Sequence, residues 1–134
     1  MIAGPCSLDT SVVMRFLVGE PVSQYWLARA WIEEQLAAKY PVHVNDHVLA
    51  EAYFALQSFY GISKPEALTI LLKFSEKSGV IISVLASEVL AFPGIATAKP
   101  GFVDRLIHGA SQSAGHTLVT FEKSAKKLPA TLVL

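Results

Sequence analysis

Four carboxylates stand where this sequence has the residue types to do chemistry: Asp9 in "SLDTS", Glu51 in "VLAEAYFAL", Asp104 in "GFVDRL" and Glu122 in "LVTFEK". Singly, each has an ordinary reading. Asp9, followed by Thr10, Ser11 and a helical pattern, suits an N-cap as well as it suits a ligand. Glu51 suits a solvated helix acid, and Asp104 suits the positive start of a helix. Glu122, before Lys123, Lys126 and Lys127, suits an exposed loop. Taken together they are less ordinary. They come from only 11 acids, they lie 42, 53 and 18 residues apart, and each falls at the end of an expected strand or near the start of an expected helix. Carboxylates brought together repel one another, and a divalent cation relieves that repulsion. Oxygen-only ligands, with waters completing an octahedron, suit Mg²⁺ or Mn²⁺.

The elements that must position these acids follow from hydrophobic periodicity. Pro5 to Leu8 reads as a short first strand, with proline tolerated at its first residue. Val12, Val13, Phe16 and Leu17 have helical spacing, and Gly19 ends that helix. Ser23 is expected to cap a second helix with Tyr25, Ala28, Trp31, Ile32 and Gln35 or Leu36 on one side. "YPVHVND" is a strand running into a cap, Asn45 or Asp46, and the helix beyond carries a stripe of Leu49, Ala52, Tyr53, Leu56, Phe59 and Tyr60 stopped by Gly61. Ser63 caps the next helix, with Pro65 in its first turn and Gly79 at its end. "VIIS" is a strand and "VLASEVLAF" a helix. "FVDRLIHGASQSAG" is a helix with Val103, Leu106, Ile107, Ala110 and Ala114 inward, followed by strands "TLVT" and "ATLVL". Short apolar strands alternating with helices predict an α/β domain whose parallel sheet is covered on both faces. Ligands in such folds gather beyond the carboxyl ends of the strands, where the four acids fall.

Composition narrows the remaining classes. The 134 residues suit one ordinary domain, and 52% hydrophobic content implies apolar surface that meets a partner, such as a second copy. Lys and Arg balance Asp and Glu, 11 against 11, so any nucleic-acid contact must be local. Cys6 alone excludes an internal disulfide and a cysteine-based zinc cluster, reads as a small buried residue, and fits a reducing cytoplasm. The first residues lack a cationic leader start, and the greasiest window, from Val80, is broken by Glu88, Pro93 and Gly94, which argues against a membrane span. His43, His47, His108 and His116 read as structural or surface residues; His43 and His47 are four apart but span a strand-to-helix junction. "GASQSAG" lies in a helical pattern and lacks Gly-x-Ser-x-Gly, so no nucleophile elbow is present. Trp26, Trp31, Tyr53 and Phe59 read as core or dimer contacts.

In order along the chain, "LDTSVVMRFL", "VLAEAYFAL…YGIS", "GFVDRLIHGAS" and "LVTFEKSAKKLP" resemble segments of the PIN-domain family, most nearly its VapC-type toxins of bacterial type II toxin–antitoxin pairs. The resemblance covers essentially the whole chain and lies in the ordered set rather than in any one motif. It implies a single PIN-like domain over residues 1–134, built as a three-layer α/β/α sandwich with a central, mostly parallel twisted sheet. It implies a metal-dependent endoribonuclease using Mg²⁺ or Mn²⁺, with Asp9, Glu51, Asp104 and Glu122 as catalytic and metal-binding acids and Thr10, Ser11 and Thr120 supporting them. Arg15, Arg105, Lys123, Lys126 and Lys127 become candidate RNA-backbone contacts. The implied partners are an RNA substrate, an antitoxin whose amphipathic segment covers an apolar groove near residues 12–36 and 48–74, and a second copy; the implied location is the cytoplasm, with no membrane.

The chain departs from the family pattern at three places. Glu122 stands where Asp is usual, Gly101 in "KPGFVD" where "ADFxD" is frequent, and Arg105 where a small residue is common. Glu122 and Gly101 favour an alternative: a catalytically weak or inactive PIN-fold module that binds RNA or protein. A phospho-acceptor receiver domain would want an acid cluster at the first strand's end, and Asp9 stands alone after "CSL".

Overall fold

The computed structural model describes residues 4–134; the first three residues of the opening segment, read above for a leader, lie outside the described residues. The described chain is α/β, with helices between parallel strands, and divides into two compact units, residues up to Ser83 and Val84–Leu134.

The first unit holds three strands, β1 (Cys6–Ser7), β2 (Val42–His43) and β3 (Val80–Ile81), in the order β1-β2-β3, all parallel. The register sets Cys6 beside Val42 and Val42 beside Val80, then Ser7 beside His43 and His43 beside Ile81. The ladder runs one residue further, through Leu8 N–H to the His43 carbonyl and Val44 N–H to the Ile81 carbonyl, both at 2.9 Å. Leu8, Val42, Val44 and Val80 are buried, whereas Ser7, His43 and Ile81 are exposed. One face of this sheet is therefore open in the middle row, where burial on both faces was expected.

Helix α1 (Thr10–Val18) starts at Asp9 and ends at Gly19, whose φ of +83° lets its N–H reach the Arg15 carbonyl. Helix α2 (Val22–Ala37) is capped by Pro21 rather than Ser23. Proline brings the extended-to-helical change at fixed φ, and its carbonyl accepts the first helical bond from Tyr25 N–H at 2.9 Å, so Ser23 is already inside the helix. Ile32 and Gln35 are its buried residues, while Trp26 is 56% exposed and outside the core. The Gln35 amide donates to the Gly4 carbonyl and to Cys6 Sγ, so Cys6 is half-buried and hydrogen-bonded instead of fully enclosed.

Helix α3 (Asp46–Ser58) is capped by Asn45, whose Oδ1 accepts from Val48 N–H at 3.0 Å. Its expected stripe is buried at Leu49, Ala52, Tyr53 and Leu56, but the helix stops at Ser58, leaving Phe59 84% exposed and Tyr60 in the turn beyond. Helix α4 (Lys64–Ser75) begins at the Ser63 cap and ends earlier than Gly79. Ser75 Oγ donates back to the Leu72 carbonyl at 2.7 Å, helping to close the last turn. Gly79, at φ +89°, instead turns the chain into β3, where a Cβ would meet Leu36.

The second unit contains α5 (Val84–Leu90), α6 (Phe102–Ser113) and two parallel strands, β4 (Leu118–Thr120) and β5 (Thr131–Val133), joined by a 3₁₀ turn over Lys123–Lys127. Helix α6 buries Phe102, Leu106, His108 and Gly109, so of the expected inward set only Leu106 is buried. The reason is the close approach of α5: Leu85 occupies the space a Cβ on residue 109 would need, and this turns the Phe102–Leu106–Gly109 side toward α5. His108 is held with Nε2 2.7 Å from the Pro129 carbonyl. Val119 and Leu132, directly opposed, are 55% and 51% exposed, so these strands are not buried as their sequence predicts. Among the described residues no helix is long and apolar enough to cross a membrane.

Leu56 is completely buried in α3. Leu56→Ala is expected to lower unfolding free energy by about 2–5 kcal/mol, read as a lower chemical-denaturation midpoint.

Candidate functional site

In the first unit the parallel strands all end at one edge, and Asp9 is delivered there by β1. Its backbone is extended (φ −82°, ψ 161°), and Oδ1 accepts from Ser11 N–H at 2.8 Å. Asp9 is therefore an N-cap in geometry, and its exposed carboxylate is fixed in direction by that bond. The next residue, Thr10, donates from Oγ1 to Glu51 Oε1 at 3.1 Å. That bond crosses from the first residue of α1 to the second turn of α3, so the residue next to Asp9 in the chain holds Glu51, while Ser11 N–H holds Asp9. Arg15, one helical turn further along α1, donates from Nε to Gln24 Oε1 at 2.7 Å.

In the second unit Asp104 is exposed in the first turn of α6, which Gly101 caps without any side-chain bond. Arg105 is committed locally: Nε donates to the Pro100 carbonyl at 2.7 Å and the guanidinium lies 4.5 Å from the Phe92 ring centroid. Glu122 caps the 3₁₀ turn, with Oε1 accepting from Ser124 N–H at 3.1 Å and Ser124 Oγ at 2.8 Å. Thr120 Oγ1 in turn accepts from Glu122 N–H at 2.9 Å. Lys123, Lys126 and Lys127 are exposed on this turn. The partners Ser124, Gln24 and Phe92 were not evident from sequence; only Ser124 carried a signal, since a carboxylate two residues before a hydroxyl is a local turn pattern.

The donor chemistry suits a hard divalent ion, because every acid and its supporting hydroxyls offer oxygen. The grouping is sparser: among the described residues no three His, Cys, Asp or Glu side chains come together to hold a metal. Glu51 accepts a hydrogen bond from Thr10, the residue that follows Asp9, while Asp9 itself accepts from Ser11 N–H. Mg²⁺ is held by one or two carboxylates with waters and substrate oxygens in many sites, and this pair fits that pattern.

The hydrogen bonds from the Ser124 hydroxyl and amide hold Glu122 below the usual carboxylate range, assisted by the Lys99 charge and opposed by slight desolvation. A lowered folded value means that this cap contributes above the unfolded pKa and is lost as pH falls through the folded one. A carboxyl-carbon NMR titration is expected to place the Glu122 midpoint below that of an ordinary glutamate, and Ser124→Ala is expected to move it upward.

Comparison with known families gives one match, to the PIN domain, over residues 7–130. No curated protein and no solved structure matches the chain. The matched span begins at the strand that delivers Asp9, contains all four acids, and ends just before β5. The chain belongs to the PIN-domain family, a nuclease fold whose members generally use divalent metal ions.

Proposed function

We propose that this protein is a metal-dependent endoribonuclease of the VapC type, hydrolysing RNA phosphodiester bonds. The observation that carries this reading is Asp9 at the carboxyl end of β1, followed in the chain by Thr10, whose hydroxyl donates to Glu51, in a chain matched to the PIN family from residue 7 to residue 130. Asp9 and Glu51 would hold Mg²⁺ or Mn²⁺, with Asp104 and Glu122 as the further acids of the set. When bound, such an ion lowers the pKa of a water and neutralises charge on phosphate oxygens. Ser11 N–H and Thr10 Oγ1 each fix one carboxylate oxygen, which orients the other toward a ligand. Lys123, Lys126 and Lys127 offer exposed charge to an RNA backbone, while Arg15 and Arg105 each keep Nη donors beyond the Nε bond they make.

An apolar groove supports the antitoxin reading. It has a volume of about 590 Å³ and is lined by Leu8, Val12, Leu27, Ala28 and Trp31, with Asp9 and Arg15 also on its wall. An amphipathic helix laid there would cover apolar surface and approach the acid together. Trp26, Leu27 and Val22, all more than half exposed on α2, suit a homodimer contact. The cytoplasm is the proposed location, consistent with the lone Cys6 thiol.

A second reading has its own observation. Glu122 is occupied by Ser124, and no three acids group among the described residues, as in a PIN-fold module that binds without cutting. Incubation of a structured RNA panel with the purified protein and Mg²⁺ or Mn²⁺ separates the two. Cleavage is expected, falling by about two orders of magnitude or more in Asp9→Asn and in Asp104→Asn. RNA binding with no cleavage at any metal concentration would select the module.

A further inference from the structure

A second concavity lies on the same edge of the first unit's sheet, at the ends of β2 and β3. It has a volume of about 480 Å³, and its wall includes His43, Asn45, Asp46, His47, Ile81 and Ser83. None of these residues belongs to the Asp9–Glu51 group. The two imidazoles are exposed, one from the end of β2 and one from the first turn of α3. Asp46 is the acid of the hollow, and its Oδ1 accepts from Ser83 Oγ at 2.7 Å. Asn45 uses its amide oxygen on Val48 N–H, so its NH₂ group remains as a donor. Among the described residues no three ligating side chains group in the hollow.

These groups match an unstacked nucleobase better than they match a phosphate. A phosphate would meet the negative Asp46. A base would find apolar contact at Ile81, imidazole faces for stacking and a carboxylate for its N–H groups. The volume lies within the range of small-ligand pockets and leaves room for a base. Its position also fits. Neighbouring strands lie roughly 4.8 Å apart, so the β2 and β3 ends are roughly 5–10 Å from the strand that carries Asp9, within reach of an adjacent nucleotide.

We propose that this hollow is a subsite for one unpaired base of single-stranded RNA, taking guanine with its N–H edge toward Asp46 and its ring against His43 and His47. Guanine presents two adjacent donors, N1–H and the exocyclic amino group, which a carboxylate accepts as a pair. Uracil presents one N–H between two carbonyls, which a carboxylate repels. Asp46 keeps acceptor capacity beyond the Ser83 bond, since an ionised carboxylate has about four lone-pair sites. The subsite rests on the ribonuclease reading above and assigns that reading a preference near the scissile bond.

The test is fluorescence anisotropy of the full chain with short labelled RNAs, a uridine oligomer and the same oligomer carrying one guanosine. A chelator is present so that the RNA stays intact. The guanosine-containing RNA is expected to bind more tightly. His43→Ala and His47→Ala are each expected to weaken it about fivefold or more, on the strength of base–aromatic stacking. His43→Phe and His47→Phe are expected to retain binding, which a merely structural histidine would not predict. Asp46→Asn is expected to erase the preference for guanosine, with thermal melting checking that the fold survives. Equal affinity for the two RNAs, or histidine variants that bind like the native protein, would overturn the subsite; metal-dependent cleavage in the same preparation would then leave the ribonuclease reading standing. If the native protein neither binds these RNAs nor cleaves the panel, subsite and ribonuclease reading fall together.

Discussion

Parallel pairing over very short strands is the constraint from which the first unit is built. Each of β1, β2 and β3 is two residues long, so the ladder alone holds little. Parallel strands require a crossover, and here helices make both crossovers. The consequence is chemical as well as mechanical. All three strands leave the sheet at one edge, and a polar residue follows each there: Asp9, Asn45 and Ser83. Two of these cap helices, and the third hydrogen-bonds to Asp46. The caps that start the helices are thus the same atoms that give the edge its polarity.

Asp9 illustrates how a structural and a functional role coexist in one side chain. A cap uses one carboxylate oxygen, because a single N–H at Ser11 is the donor. The exposure of Asp9 and the link from Thr10 to Glu51 place a second carboxylate nearby. The choice between cap and ligand posed by the sequence is therefore not exclusive. Asp46 has the same character at the neighbouring strand end: an acid in the first turn of α3 that also holds Ser83.

Much of this was legible in the residues. Gly19 ends α1 because the turn needs a left-handed φ, and Asn45 and Ser63 cap because their short side chains reach the first-turn amides. The order of elements and the parallel pairing followed from short apolar strands alternating with helical stripes. Failures came where tertiary contact outweighed a local signal. Ser23 has the chemistry of a cap, but Pro21 begins the helix before it. The face of α6 was misread because a glycine, Gly109, marks the tightest contact there, and a hydrophobic count gives glycine no weight. Of the candidate site, the four acids were singled out by type and spacing, and Thr10 as a supporting residue through the family resemblance. The Ser124 clasp on Glu122 and the hollow beneath His43 could not be read from the sequence, because both depend on where short turns place atoms.

The Ser124 clasp changes what Glu122 is worth to any ligand. A carboxylate already held by an amide and a hydroxyl is not idle; a newcomer must either share its remaining lone pairs or break two hydrogen bonds. If the bonds must break, the binding-competent conformer is a minor one, and apparent affinity is reduced by its fractional population. In that case the clasp that folds Glu122 back onto its own turn would act as a threshold on occupancy, left closed by weak ligands and opened only by a strongly bound one.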